Sequence, residues 1–199
     1  MNRTAMMYWP ARNFIHGMSR LLWRVSVRGV ENVPRSGPLI VACNHRSFLD
    51  PPVMGSFVPR QIYFMAKKEL FDIPLLGPAI ASVGAYPVDR EGSATAAIKR
   101  SVEVLRRGDC IGIFPEGGRN TDGEKEARQG VALLASLAKA PVLPAAIVGG
   151  DRAKRLGKIK VAYGKPLTLP ADRKATRDDL AKFTEEVMSA IFALVESLG

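Results

Sequence analysis

The chain has 199 residues, 47% of them hydrophobic and 24% charged, enough for one domain with a proper core and too apolar for a disordered chain. Its 29 basic and 19 acidic residues leave a net charge of +10, which favours an anionic partner: nucleic acid, a phosphorylated substrate or an anionic membrane surface. Only 7% of residues are aromatic, and no basic stretch interleaves them as a stacking platform would, which weakens the case for nucleic acid.

In chain order, the first segment matches neither a signal peptide nor a membrane span. Arg12, His16, Arg20 and Arg24 interrupt its apolar positions, and no small-residue cleavage site follows. Phe14, Ile15, Met18, Leu21, Leu22 and Val25 recur at helical spacing on one face, with Arg12, His16, Ser19 and Arg20 on the other. With Met6, Met7 and Trp9 ahead of them, residues 1–24 read as an amphipathic helix in a membrane interface, its arginines toward lipid phosphates. The alternative is a helix packed on the domain's own core.

Residues 25–199 form the domain proper. A half-buried strand at 25–28 and a turn-rich connection at 32–38 lead to the apolar run Leu39-Ile40-Val41-Ala42-Cys43, which reads as a buried strand. Asn44-His45-Arg46-Ser47-Phe48-Leu49-Asp50 follows, and Pro51-Pro52 fits the first turn of a short helix reaching about Phe57. A strand at 61–65 runs into Ala66-Lys67-Lys68-Glu69-Leu70. The apolar stretch 73–84 is broken by Pro74, Gly77 and Pro78, too irregular to span a bilayer; it either lines a groove for a lipid tail or is a buried connection.

A short strand at 83–88 ends in Asp89-Arg90. Ser93 caps a helix carrying Ile98, Val102 and Leu105, and Gly108 stops it. The strand 110–114 delivers Pro115-Glu116-Gly117-Gly118-Arg119-Asn120, followed by an exposed loop, a helix at 127–139 and an interior strand at 141–148. A basic loop at 151–157, a strand at 158–163 and a final helix capped by Thr176, with Asp179 as its capping-box partner, complete the chain. Leu180, Phe183, Val187, Ile191, Leu194 and Leu198 form that helix's core stripe. Strands alternating with helices mean one α/β domain.

Two stretches carry chemistry. A histidine acting as a base needs an acceptor to fix its tautomer and stabilise its protonated form, and Asp50 is a candidate for His45. Residues five apart share no helix face, so the pair needs a bend between them; the alternative is a structural hydrogen bond. In Glu116-Gly117-Gly118-Arg119, glycines let backbone N–H groups approach an anion and the guanidinium can grip it bidentately; the alternative is a charged surface turn. Cys43 lies two residues before His45, but inside an apolar strand it reads as an inert core thiol, like Cys110, in a reducing compartment. No metal spacing joins the cysteines to His45 or the distant His16.

Taken together, Asn44-His45 with Asp50, Gly84 through Val88-Asp89-Arg90, Phe114-Pro115-Glu116-Gly117-Gly118-Arg119 and the strand from Val142 to Pro144 follow the order of the four motifs of the glycerolipid acyltransferases. The resemblance covers roughly residues 25–165 and is strongest to the bacterial 1-acylglycerol-3-phosphate acyltransferase branch, to which Ala66-Lys67-Lys68-Glu69-Leu70-Phe71, Ile73-Pro74 and Gly77 are also similar. Asn120 stands where the family usually has a serine and Ala145 where it often has a branched residue.

The resemblance implies a mixed central sheet flanked by helices, and transfer of a fatty acyl group from acyl-CoA or an acyl carrier protein to the 2-hydroxyl of lysophosphatidate, with no cofactor and no metal. It implies that His45 deprotonates the hydroxyl, Asp50 holds the imidazole, and the alcohol attacks the thioester directly without an acyl-enzyme. Arg119, the Gly117 backbone, Lys67 and Arg90 would bind the acceptor's phosphate, and Glu116 would orient its glycerol hydroxyls. The sequence does not identify the oxyanion stabiliser, and backbone amides near the His45 loop are the default expectation. The enzyme would sit peripherally or monotopically on the cytoplasmic face of the cell membrane, drawing lysophospholipid from an anionic leaflet. Rivals are the same chemistry on a lyso-ornithine lipid or glycerol 3-phosphate, a non-catalytic basic module for anionic lipid or nucleic acid, and a thioesterase.

Overall fold

The structure, a computed structural model, describes residues 3–88, 94–120, 130–170 and 175–199. An N-terminal helix α1 (Arg3–Trp23) precedes β1 (Ser26–Arg28), β2 (Leu39–Cys43), α2 (Asp50–Phe57), β3 (Ile62–Lys67), α3 (Leu76–Ser82) and β4 (Tyr86–Val88). Then come α4 (Ala94–Arg106), β5 (Cys110–Ile113), α5 (Gly130–Ala138), β6 (Val142–Val148), β7 (Lys160–Tyr163) and α6 (Arg177–Leu198). The expected cap Ser93 and the expected start of the helix at 127 lie outside the described residues.

The strands form one seven-stranded sheet in the order β1-β7-β6-β2-β5-β3-β4. All neighbours pair parallel except β6 and β7, so the sheet is mixed, as the resemblance implied. β2 sits at its centre with every residue buried, which is why it reads as an unbroken apolar run. Its side chains alternate between two layers. Leu39, Val41 and Cys43 pack with Val53, Met54 and Phe57 of α2, while Ile40 and Ala42 pack with α4, α5 and α6.

This layering decides where a site can form. The connection leaving β2 runs through α2 across β5 to β3; the connection leaving β5 runs through α5 on the opposite face, across β2, to β6. Chains that depart in opposite directions from adjacent parallel strands open a crevice at the strands' carboxyl ends, where ligands of open α/β sheets bind. The segment after Cys43 and the segment after Ile113 both begin there.

The stretch 73–84 is more regular than its prolines and glycines indicate, because α3 covers Leu76–Ser82. Pro78 falls in the first turn of that helix, where a missing N–H breaks no helical bond. The capping box of α6 is complete: Thr176 Oγ1 accepts from Asp179 N–H at 3.2 Å, and the Thr176 N–H donates to Asp179 Oδ2 at 2.8 Å.

The helix α1 is oriented against the simple rule for amphipathic helices. Its polar side meets the domain: Tyr8 is 4% exposed, Arg12 donates to Val58 O at 3.3 Å, His16 Nδ1 lies 3.3 Å from Ser56 O, and Arg20 stacks over Phe57. The arginines Arg12 and Arg20 therefore point back to α2 rather than outward as expected. Its apolar side faces out, with Phe14 69% and Leu21 75% exposed, beside an exposed Met7. Ile73, Leu75 and Leu76, at the start of the neighbouring α3, are exposed as well. Among the described residues, no helix is long and apolar enough to cross a membrane.

Candidate active site

The site starts with a clamp at the end of β2. Asn44 is buried, and its side-chain amide reaches sideways to β6, donating from Nδ2 to Ile147 O at 2.9 Å and accepting the Ile147 N–H at Oδ1, also at 2.9 Å. These bonds continue the ladder after the strand has ended, so the next residue, His45, leaves from a fixed point. Nothing in the sequence assigned Asn44 a role.

The required bend is present. Asp50 N–H donates to Ser47 O at 3.1 Å and Leu49 N–H to Ser47 Oγ at 3.2 Å, a turn that brings the first residue of α2 back under the loop. Asp50 is 1% exposed. Its Oδ2 accepts the Arg46 N–H at 2.7 Å and the Ser47 N–H at 2.6 Å, and faces His45 Nδ1 at 3.1 Å. A carboxylate only accepts, so Nδ1 carries the proton and the lone pair resides on Nε2. That is the tautomer a general base needs. One face of the His45 ring is covered by Phe114, with centroids 4.1 Å apart and planes 23° from parallel. The side chain is left 12% exposed.

The second loop is sewn to the first through the backbone of His45 itself. The His45 N–H donates to Glu116 Oε2 at 3.2 Å, and the Asn120 N–H donates to His45 O at 2.7 Å. The Asn120 side chain hydrogen-bonds to Glu116 as well. Burial raises the Glu116 carboxyl above its usual range, against the hydrogen bonds from His45 and Asn120 and the nearby positive charge of Arg46.

Gly117 has φ 69°, a left-handed conformation that suits glycine, and its N–H donates to Phe114 O at 2.9 Å to close the turn. The Gly117 N–H expected on the acceptor's phosphate is thus engaged, and the residue shapes the loop instead. Some of the amides near the His45 loop, expected as oxyanion donors, are engaged as well. The N–H groups of His45, Arg46 and Ser47 are all taken, the first by Glu116 and the other two by Asp50.

Arg119 returns over the first loop, its guanidinium carbon 3.7 Å from the centroid of the Phe48 ring, three residues beyond His45. Phe48 is 68% exposed, so this cation–π contact lies at the rim and is worth roughly 0.5–1 kcal/mol. Lys67 ends β3 at the same carboxyl edge, its Nζ 3.1 Å from Glu69 Oε1 in a half-exposed pair. Arg90 lies outside the described residues. Cys43 is fully buried, and burial, with Asp50 and Glu116 nearby, pushes its thiol well above the ordinary range. It is a core thiol, not a nucleophile. Among the described residues, no group of three or more His, Cys, Asp or Glu converges to hold a metal ion.

The structure therefore brings His45, Asp50, Glu116 and Arg119 together and adds Asn44, Phe48 and Phe114. It can take a proton from a neutral group at Nε2, hold the resulting imidazolium against a buried carboxylate, and present a guanidinium at the same rim.

The family model described as Acyltransferase matches residues 24–148. A 1-acyl-sn-glycerol-3-phosphate acyltransferase of Bacillus subtilis is 34% identical over 198 residues, spanning 96% of this chain and 98% of that one. One of Streptococcus pneumoniae is 31% identical over 169 residues, 80% of this chain and 62% of that protein. The crystal structure of the 1-acyl-sn-glycerophosphate (LPA) acyltransferase from Thermotoga maritima aligns with a TM-score of 0.74 and 26% identity, covering 94% of this chain and 80% of that one.

Proposed function

The chain belongs to the acyltransferase family, and from that premise we propose that it is a 1-acyl-sn-glycerol-3-phosphate acyltransferase. It moves a fatty acyl group from the thioester of coenzyme A or an acyl carrier protein to the 2-hydroxyl of lysophosphatidate, giving phosphatidate. The carrying observation is the His45 imidazole, set by Asp50 at 3.1 Å and joined through its own backbone to the loop that bears Arg119.

In this mechanism the acceptor hydroxyl gives its proton to Nε2 as its oxygen attacks the thioester carbonyl. The tetrahedral intermediate collapses by breaking the C–S bond, and the imidazolium returns the proton to the departing sulfur. Asp50 stabilises the imidazolium in between and stays ionised. No bond to the protein forms. Arg119, Lys67 and Arg90 hold the acceptor's phosphate, with Arg119 leaving the Phe48 ring for a stronger, charge-assisted partner. The remaining lone pairs of Glu116 orient the glycerol hydroxyls. No cofactor takes part; the donor is a co-substrate.

The outward apolar side of α1 and the exposed Ile73, Leu75 and Leu76 suit a peripheral or monotopic seat on an anionic leaflet, at the cytoplasmic face of the cell membrane. Basic residues elsewhere on this +10 chain add attraction to such a surface.

The test is thiol release from acyl-CoA by purified protein against lysophosphatidate, a lyso-ornithine lipid and glycerol 3-phosphate, with product identification. Release that requires lysophosphatidate, yields phosphatidate and falls at least about a hundredfold in His45→Ala is the expected result. Release without any acceptor means a thioesterase. Preference for another acceptor moves the assignment within the family, and no release with any of them leaves a lipid-binding module.

A further inference from the structure

On the other flank of the His45 loop lies a second cationic site, and we infer that it binds phosphate groups of the acyl-thioester donor. The inference rests on the two-substrate reading above. The basic loop at 151–157 has no part in the acceptor site, yet Gly150, just before it, packs against the Asp50 carboxylate. A cavity of about 280 Å³ opens between the ends of β2 and β6, the turn Gly150–Arg155, the start of β7 and the end of α6. That is far more than the roughly 10–15 Å³ one water needs, and near the lower bound of about 300 Å³ for a small-molecule site. It suits a phosphate-bearing group rather than an entire lipid.

Its charge is lopsided. Arg46, Arg152, Lys158 and Lys160 line it, against Asp50 and Asp151. Asp50 engages two backbone N–H groups and His45 through Oδ2, while its Oδ1 faces Gly150 in the cleft wall, and Lys160 Nζ donates to Leu198 O and Gly199 O at the end of α6. Arg46, Arg152 and Lys158 are exposed, and none forms an ion pair with a described residue.

The cations stand on a built scaffold. Gly149, with φ 88°, lets the chain turn so closely that a Cβ there would sit 2.2 Å from Lys158 O. Arg152 N–H donates to Gly149 O at 3.2 Å, and Trp23 Nε1 at the end of α1 donates to Ala153 O at 2.9 Å, pinning the loop from outside. Arg46 lies beside His45, and its N–H bonds Asp50.

Direction along the sheet edge separates this cleft from the acceptor clamp. Glu116 to Arg119 follow β5, on one side of β2; the cleft is walled by β6 and β7, on the other. A transfer between a lysophosphate and a phosphorylated thioester brings two anions to one base. Placing their charges in one clamp would set them repelling each other, whereas two clamps on opposite flanks let the hydroxyl and the carbonyl meet at Nε2 with the charges apart. Coenzyme A and an acyl carrier protein both carry a phosphate at the end of the pantetheine arm, and coenzyme A carries further nucleotide phosphates.

The experiment uses the full-length protein and the double variant Arg152→Ser/Lys158→Ser, both positions being exposed, with lysophosphatidate as acceptor and three donors of one chain length. These are acyl-CoA, acyl-4′-phosphopantetheine and the phosphate-free acyl-N-acetylcysteamine. The expected result is a rise in the KM for acyl-CoA of roughly tenfold or more, with kcat at saturating donor, the KM for lysophosphatidate and the rate on the phosphate-free donor all unchanged. An equal rise with acyl-4′-phosphopantetheine locates the contacted phosphate on the pantetheine arm; a rise with acyl-CoA alone locates it on the nucleotide. A higher KM for lysophosphatidate would make the cleft part of the acceptor site, and unchanged constants would make the loop a solvated face; either overturns the inference. If the unsubstituted protein transfers no acyl group to lysophosphatidate, the functional reading has failed instead.

Discussion

Replacing Asp50 by Asn separates the electrostatic part of the site from its architecture. The Oδ2 atom takes three contacts, the Arg46 N–H at 2.7 Å, the Ser47 N–H at 2.6 Å and His45 Nδ1 at 3.1 Å. An amide oxygen in the same place keeps accepting from all three, so the loop keeps its bend. Each bond declines from a charged one, roughly 1.5–3 kcal/mol, to a neutral one of about 1 kcal/mol, while relief from burying a carboxylate offsets the loss. We expect the stability to change by less than about 2 kcal/mol and the Tm by less than about 8 °C. Catalysis has no such offset. Opposite unit charges 3.1 Å apart at an effective dielectric of about 20 attract by about 5 kcal/mol, and the imidazolium loses most of that attraction. Since 1.36 kcal/mol is about a factor of ten, kcat should fall about 10³–10⁴-fold, with little change in the KM for lysophosphatidate. Steady-state thiol release and a melting curve on the same sample measure both quantities. A folded variant within about tenfold of the original kcat would refute the role of the carboxylate, because electrostatics of this size leave no room for so small an effect.

Three further substitutions probe the framework. In Glu116→Gln the amide can still accept the His45 N–H at the 3.2 Å site, but the titration disappears. Because burial raises the folded carboxyl above its ordinary 4.5, the folded state holds its proton more tightly than the unfolded one; stability present below that pH falls as pH climbs through the raised value. Denaturation free energies of the two proteins should therefore diverge between about pH 4 and the raised value, with parallel curves counting against it. Asn44→Ala strands the N–H and C=O of Ile147, both bonded at 2.9 Å, and should cost about 2–5 kcal/mol in urea denaturation. A loss below about 1 kcal/mol would show the clamp to be dispensable. Gly150→Ala would set a Cβ 2.4 Å from Asp50 Oδ1 and 3.1 Å from Ser47 Cβ, so the carboxylate must move. A displacement approaching 1 Å predicts a kcat lowered about 10–100-fold with a nearly unchanged Tm, and full activity would mean that the wall gives way instead.

What the sequence made legible was whatever the sheet writes into local pattern. β2, β5 and β6 are covered on both faces and so appear as apolar runs, and the proline pair after Asp50 marks the start of α2. His45 and Asp50 were readable because they belong to one loop. The Asn44 clamp was not, since its partner lies 103 positions away and depends on which strands become neighbours. The same holds for Phe48 and Phe114, which look like ordinary apolar residues until the two loops meet. Periodicity divided α1 correctly into two faces but could not say which one docks. The domain offers α1 carbonyl groups and the Phe57 ring, which suit Arg12, His16 and Arg20 better than they suit Phe14 or Leu21. That the N–H groups of Gly117, His45, Arg46 and Ser47 already have acceptors was hidden for a similar reason: a glycine-rich or turning backbone shows where N–H groups are abundant, not which are already bonded.

The double stitch through the backbone of His45 bears on how this protein wears out. Its N–H and C=O are both tied to a segment about 71 positions on, so the Cα that carries the imidazole cannot shift unless two central strands part at their ends. A side chain borne on a frayed rim would be lost to breathing long before the molecule melted. Here the reactive ring is carried at the end of the buried central strand, so heat inactivation should track global unfolding, and the amide hydrogens of His45 and Asn120 should exchange with solvent as slowly as those of β2.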